Sequence, residues 1–273
     1  MPSGRPDRVI LNGGHPLAAG LVFAGLGELP LSTYYHDSSF YHKNGTLTNM
    51  AVPATATSGW VWDNFLRRWV LAFDRAAVAD YVDVSSLVFP TGTGPFTIFG
   101  WLKPTNLVGA EWLSTNTGAN NGMAFYLSLT PNKMSFYNYN TFVETVTASS
   151  LTAGAWNAIG VVRTTVAQLF LGGVADGSSQ TCTSNFGAPS GFLISTRWSD
   201  HALGILGSTT DILGWNRALS ASDMVALADP SNVMLSGLLL PPRRRLFAAA
   251  VAGGVTIRWP WQQRRHRRMA GVS

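Results

Sequence analysis

The sequence predicts an all-β fold built as a sandwich or barrel, and three observations carry that expectation. Short β-type runs follow one another from Leu17 to about Leu213, turn-forming segments separate them, and helical periodicity is almost absent. The chain has 273 residues, room for one large all-β domain or two small ones. Its hydrophobic share of 46% suits a packed core, while charged residues make up only 12%, about half the usual quarter. Gly, Ser, Thr and Asn take the place of charge, as many short strands joined by turns require.

The predicted strands include Tyr81–Val84, Phe96–Lys103, Met123–Leu129, Met134–Tyr139, Trp156–Arg163 and Gln168–Leu171. Between them stand TGTGP, NTGANNG, TPNK, TAGA and GGVADGSS, whose residues tolerate turn geometry. The most specific segment is a hairpin in which Met123–Leu129 and Met134–Tyr139 flank Thr130-Pro131-Asn132-Lys133. Period-two alternation places Phe125, Leu127, Leu129, Met134 and Phe136 on a core face. Tyr126, Ser128, Ser135, Tyr137 and Tyr139 fall on the opposite, outer face. One helix is expected where Ser220-Ala-Ser-Asp223, a capping-box variant, opens onto Met224–Ala228 and Asp229-Pro230 stops it. These patterns divide the chain into an N-terminal arm (1–16), a β domain (17–232) and an Arg-rich tail (233–273).

Several fragments, in order, resemble the laminin-G-like, concanavalin-A-like jelly-roll family. They are Asp37-Ser-Ser39 with Gly45-Thr-Leu-Thr-Asn49; Leu71-Ala-Phe-Asp74 with Asp80-Tyr-Val-Asp-Val84; and Phe96-Thr-Ile-Phe-Gly-Trp-Leu-Lys-Pro104. They continue with Trp156-Asn-Ala-Ile-Gly-Val-Val-Arg163, then Leu169-Phe-Leu-Gly-Gly173, and close with Asp211-Ile-Leu-Gly-Trp-Asn-Arg-Ala-Leu-Ser220. The resemblance implies a jelly-roll sandwich of two antiparallel sheets with one short C-terminal helix, and it leaves both arms uncovered. Arg75 stands where the family has Gly, and the loop from Asp74 to Asp80 is longer than the family's. Both departures bear on the cation site that some members build from rim-loop acids.

Catalytic patterns fare poorly against the residues present. Glycoside hydrolysis needs two carboxylates on either side of the scissile bond. The only glutamates, Glu28, Glu111 and Glu144, are far apart in sequence, and Asp80 and Asp83 have opposite strand parity. No Gly-x-Ser-x-Gly elbow or phosphate-cradling Gly loop occurs, and Cys182, the only cysteine, has no evident His partner and reads as a small buried hydrophobe. The five histidines lack metal-ligand spacing. The reading is therefore of a protein that is not an enzyme and has no cofactor. Calcium is a weak possibility at Asp37, Asp74 and Asp80, where turn-forming acids serve equally well without a metal.

Binding is the more natural expectation. Tyr126, Tyr137 and Tyr139, with Trp112, Asn120 and Asn121 placed in nearby loops, could stack sugars, form a subunit interface or simply stabilise the sheet. The second feature is charge. Residues 1–242 hold 11 Lys and Arg against 14 Asp and Glu, a net of −3, whereas 243–273 hold eight arginines and no acid. In that tail Arg243, Arg244, Arg245, Arg258, Trp259, Trp261, Arg264, Arg265, Arg267 and Arg268 interleave aromatics with guanidinium groups. Nucleic acid or an acidic protein surface would suit them, and so would plain solvation.

The N-terminus lacks the apolar run of a secretory signal and no stretch reaches membrane-spanning length. The resulting expectation is a structural component of a large assembly, such as a bacteriophage virion decoration or fibre protein in an extracellular particle. Its lectin-like domain is displayed, its basic tail anchors it, and its partners are other subunits in a homo-oligomer. The alternative is a carbohydrate-binding module for surface attachment, with a glycan hydrolase as the outsider.

Overall fold

A computed structural model of the chain describes residues 10–26, 33–74, 79–107, 109–116, 122–127, 132–139, 143–183, 185–187, 189, 191–197, 203–231 and 237–240. Packing divides the chain at Pro242/Arg243, and the second unit, with all ten expected anchor residues from Arg243 to Arg268, lies outside the described residues. Asn120 and Asn121 lie outside them too.

The first unit is two antiparallel sheets stacked face to face, the jelly-roll sandwich expected from the sequence. The front sheet runs in the order Val143–Val146, Met134–Asn138, Met123–Leu127, Ala110–Asn116, Gly191–Ile194, Tyr81–Val84, Gly45–Thr48, Tyr34–Tyr35. The back sheet runs Val174–Ala175, Val166–Leu171, Asn157–Arg163, Phe96–Pro104, Gly207–Trp215, Arg68–Phe73, Gly59–Asp63, and Leu21–Gly25 also pairs with Gly207–Trp215. Neighbours in space are often distant in sequence, so the fold depends on pairings that only the assembled sandwich satisfies.

Alternation explains the main core. Phe125, Leu127, Met134, Phe136, Val82 and Val84 point inward from the front sheet, and meet Phe96, Ile98, Leu102, Ile159, Val161 and Leu169 from the back. Cys182 is buried in the same core, and its sulfur accepts a 3.5 Å hydrogen bond from Asn138 Nδ2.

The outer face of the back sheet is also apolar and needs its own cover. Phe99, Trp101, Phe170, Leu213 and Trp215 supply the sheet side of this second core. The helix Ala221–Leu227 covers part of it and buries Met224 and Leu227 completely, a gain of roughly 1.5–3 kcal/mol per side chain. Its start follows the expected capping box: Asp223 N donates to Ser220 Oγ at 3.2 Å and Ser220 N to Asp223 Oδ2 at 3.0 Å. Gly160 on the sheet lies directly beneath Met224, where any β-carbon would collide with the methionine methyl. Helix and sheet approach closely because that position has no side chain.

The chain ends complete the cover. Leu11, Leu17 and Leu238 are buried in the second core, Trp215 Nε1 donates to Leu17 O at 2.7 Å, and Ile10–Leu11 pairs with Leu239–Leu240. The folded domain therefore takes in residues from 10 onward and reaches 240, beyond the limits of 17 and 232 expected from composition. That burial depends on partners more than 190 residues away, which no local pattern announces. No helix among the described residues is long and apolar enough to cross a membrane.

Candidate binding surface

The hairpin forms with the register that alternation predicts. Phe125 opposes Phe136 and Leu127 opposes Met134 on the core side, while Tyr126 opposes Ser135 and Ala124 opposes Tyr137 on the outer side. Leu129 and Ser128 lie outside the described residues. Asn132 in the connecting turn adopts φ of 68°, a left-handed conformation that Asn tolerates. Beyond the strand, Tyr139 N donates to Gly122 O at 2.9 Å, which holds the third tyrosine beside the other two.

The rings touch edge to face. Tyr137 and Tyr139 centroids are 4.9 Å apart at 78°, and Tyr126 and Tyr137 are 6.3 Å apart at 75°, the geometry favoured by aromatic quadrupoles. All three side chains are half-buried. The outward-pointing residues among them, Ala124, Ser114 and Ser135, are small and fully buried.

Two glutamates flank the tyrosines. Glu144 opposes Tyr137 on the adjoining edge strand, and its carboxylate accepts a short hydrogen bond from the Tyr126 hydroxyl. Glu111 opposes Tyr126 from the other side and accepts from the Tyr139 hydroxyl at 3.3 Å. Burial, then the bonded and charged Glu144 carboxylate, raises the Tyr126 phenol well above its ordinary range. Burial, then the charge and hydrogen bond of Glu111, does the same to Tyr139, and burial with the Glu144 charge raises Tyr137. The three phenols therefore remain neutral hydrogen-bonding groups beside two carboxylates.

Sequence reading set these glutamates aside as too far apart to act together. They do share the face, yet two strands separate Ala110–Asn116 from Val143–Val146. At about 4.8 Å per strand spacing their backbones stand about 14 Å apart. Here each glutamate serves a tyrosine instead.

Trp112 requires a correction. It was expected in a loop near the tyrosines, where it could stack a ligand, but it lies on the strand Ala110–Asn116 and is completely buried. A bulge is the reason: Phe125 opposes Leu113 and Tyr126 opposes Glu111, so Trp112 is the extra residue between them. The bulge turns both Trp112 and Leu113 into the core while Glu111 and Ser114 face outward. The indole packs edge-on to Phe125 at 5.8 Å and donates from Nε1 to Thr209 Oγ1 at 2.9 Å.

Of the three acids weighed for calcium, Asp37 and Asp80 have carboxylates occupied by the protein. Asp37, only 3% exposed, accepts from Ala24 N, Ser39 N, Ser39 Oγ and Lys43 N at 2.8–2.9 Å. Asp80 Oδ2 accepts from Ser58 Oγ at 2.5 Å and from Asp74 N at 3.3 Å, and desolvation raises its pKa despite those bonds. The structure thus joins Asp74 to Asp80 and leaves Asp37 in a separate loop. Among the described residues no group of three or more His, Cys, Asp and Glu side chains is placed to hold a metal ion.

This sandwich, with its aromatic outer face, is the architecture of a lectin-like domain, and sequence comparison agrees. The chain belongs to the concanavalin A-like lectin/glucanases superfamily, which matches residues 76–224, more than half of its length. No curated protein matches the chain in sequence. Among solved structures it is similar to domain 4 of AbnA, a GH43 extracellular arabinanase from Geobacillus stearothermophilus, solved in complex with arabinotriose. That match has a TM-score of 0.57 and 14% identity, covering 77% of this chain and 98% of that one. It is also similar to the binding domain of Paraclostridial Mosquitocidal Protein 1 (TM-score 0.59, 15% identity, 78% and 52% covered). A third similar structure is of botulinum neurotoxin type C, whose cell entry depends on interaction with two ganglioside molecules (0.55, 12%, 77% and 50%). The chain spans about half the length of the two toxin chains. At these identities the likeness establishes the fold alone.

Proposed function

We propose that this protein is a non-catalytic, lectin-like binding module whose tyrosine face takes an uncharged glycan. The observation that carries the reading is the set of three contacting tyrosine rings, Tyr126, Tyr137 and Tyr139, held by Glu111 and Glu144 on one outward sheet surface. Aromatic faces accept the C–H side of a pyranose or furanose ring, while carboxylates and phenolic hydroxyls accept and donate to its hydroxyl groups. Two carboxylates against the Arg197 guanidinium near Tyr139 leave the face net negative, which favours a neutral sugar over an acidic one. Supporting the reading by analogy, AbnA domain 4 was solved with arabinotriose, a neutral sugar.

The test is a glycan array followed by titration calorimetry on the strongest responder. The intact chain is expected to bind a neutral oligosaccharide, and joint replacement of Tyr137 and Tyr139 by alanine to weaken that binding at least tenfold while leaving the fold intact by circular dichroism. No array signal from the intact protein sinks the proposal.

A second reading, compatible with the first, rests on charge. Eight arginines and no acid in residues 243–273, against a domain of net −3, favour an anchor that holds the domain on a larger assembly, such as a virion. Its partner is an acidic protein surface or nucleic acid. Deleting residues 243–273 is expected to abolish incorporation into the native particle while the sandwich stays folded. Normal incorporation of the truncated chain refutes the anchor.

A further inference from the structure

We propose a second binding site, independent of the tyrosine face: a groove at one end of the sandwich that takes a carboxylate-bearing sugar residue. The groove measures 480 Å³, and Tyr41, Lys43, Val88, Pro90, Thr91 and Asn216 line its mouth and walls. Four separate stretches build it: Val22 on the strand Leu21–Gly25, the loop after Tyr34–Tyr35, the segment from Ser86 to Phe96, and the residue following Gly207–Trp215.

Charge selects the ligand. Among the described residues Lys43 is the only charged side chain in the lining, and the ion pairs among them, Arg68 with Asp211 and Lys103 with Asp63, do not include it. The nearest acid along its loop, Asp37, is buried and already accepts four hydrogen bonds, one of them from the Lys43 backbone. The groove is therefore cationic on a domain whose net charge is −3. An ammonium group beside the amide of Asn216 and the hydroxyls of Thr91 and Ser86 supplies donors for a carboxylate.

Aromatic and apolar surface supplies the rest. Tyr41 is 55% exposed and Val88 54% exposed, both at the groove. An exposed ring beside a lone cation suits a molecule that joins a C–H-rich face to one negative group, as a uronic acid does. The loop presenting Tyr41 and Lys43 is also fixed in advance. The Asp37 carboxylate ties together Ala24, Ser39 and Lys43, Asn44 Oδ1 accepts from Asp37 N at 3.0 Å, and Tyr41 N donates to Ser39 Oγ at 3.2 Å. Little conformational freedom remains to be lost on binding.

The two surfaces thus differ in sign: the tyrosine face carries carboxylates and the rim groove carries an ammonium. The experiment titrates the full chain with cellobiuronic acid and with cellobiose, its neutral counterpart, by calorimetry and by backbone amide shifts. The acid is expected to bind at least tenfold more tightly than cellobiose, to shift the amides of Tyr41, Lys43, Thr91 and Asn216, and to bind less well as salt rises. Lys43→Gln is expected to reduce that affinity at least tenfold and Tyr41→Ala at least threefold, with Tyr137→Ala leaving it unchanged. Equal binding of both sugars, no binding of the acid, or indifference to Lys43→Gln overturns the proposal. Loss of acid binding in Tyr137→Ala places the acid on the tyrosine face and also overturns it. The comparison of the two sugars is read at the amides of Tyr41, Lys43, Thr91 and Asn216, so a neutral sugar held at the tyrosine face does not enter it.

Discussion

Replacing Trp112 by alanine is expected to cost the domain about 3–5 kcal/mol of stability. The indole is fully buried between the sheets, and its position on the bulge means that neighbouring side chains cannot swing in without changing the register between Phe125 and Leu113. It stands so close to Gly100 on the opposite sheet that a β-carbon there would lie 2.8 Å from Trp112 Cζ2. Truncation therefore opens a cavity that the backbone cannot close. It also removes the donor to Thr209 Oγ1, the atom through which Thr209 donates onward to Trp101 O at 2.7 Å. Urea denaturation followed by circular dichroism measures the loss, and Trp112→Phe, which keeps most of the volume, is expected to lose about half as much. Wild-type stability in the alanine variant would contradict the core assignment. Any fall in glycan binding should track the unfolded fraction, because the side chain never reaches the ligand surface.

Arg163→Ala is expected to be comparably damaging, by about 3–5 kcal/mol from the emptied volume and the lost donors. This arginine is completely buried at the end of the back-sheet strand Asn157–Arg163. Its Nε donates to Cys182 O at 2.7 Å and Nη1 to Gly94 O at 2.6 Å. The guanidinium carbon sits 5.2 Å from the Phe186 ring centroid and 5.9 Å from that of Phe96, which adds cation–π attraction. Removing the side chain strands the buried Cys182 carbonyl, at about 1–3 kcal/mol, leaves the part-buried Gly94 carbonyl to water, and empties the space between two rings. Arg163→Met fills the space without restoring the donors, so it is expected to recover part of the loss. The urea midpoint should fall in the order wild type, Met, Ala, with the denaturant slope unchanged. A methionine variant as stable as wild type would show that the carbonyls find other partners.

Why these two residues escaped sequence reading, while others did not, follows from the range of the interactions. The Met123–Tyr139 hairpin was legible because its two strands lie side by side in the chain and period-two alternation needs no distant partner. The capping box at Ser220 was legible for the same reason. Trp112 was misplaced because a bulge breaks strict alternation, and nothing in Glu111-Trp-Leu-Ser114 marks which residue is the extra one. Glu111 and Glu144 were invisible as members of one surface, since 33 positions separate them in the sequence and strand order alone brings them to either side of the tyrosines. Asp37 was read first as a turn-forming acid and only weakly as a cation ligand. Its actual role, gathering the backbone of its own loop, depends on Ala24 from a neighbouring strand. Arg163 resembled any strand-ending arginine, because its burial is decided by the loops at Gly94 and Cys182.

The antiparallel contact between Ile10–Leu11 and Leu239–Leu240 brings the entry and exit of the folded domain within about one strand spacing, roughly 5 Å. The junction belongs to the layer that covers the back sheet, whereas the tyrosines stand on the far side of the front sheet. Topologically the domain is a cassette: it can be spliced into a loop of another chain, or closed by a short linker and reopened elsewhere, with its tyrosine surface turned away from the seam.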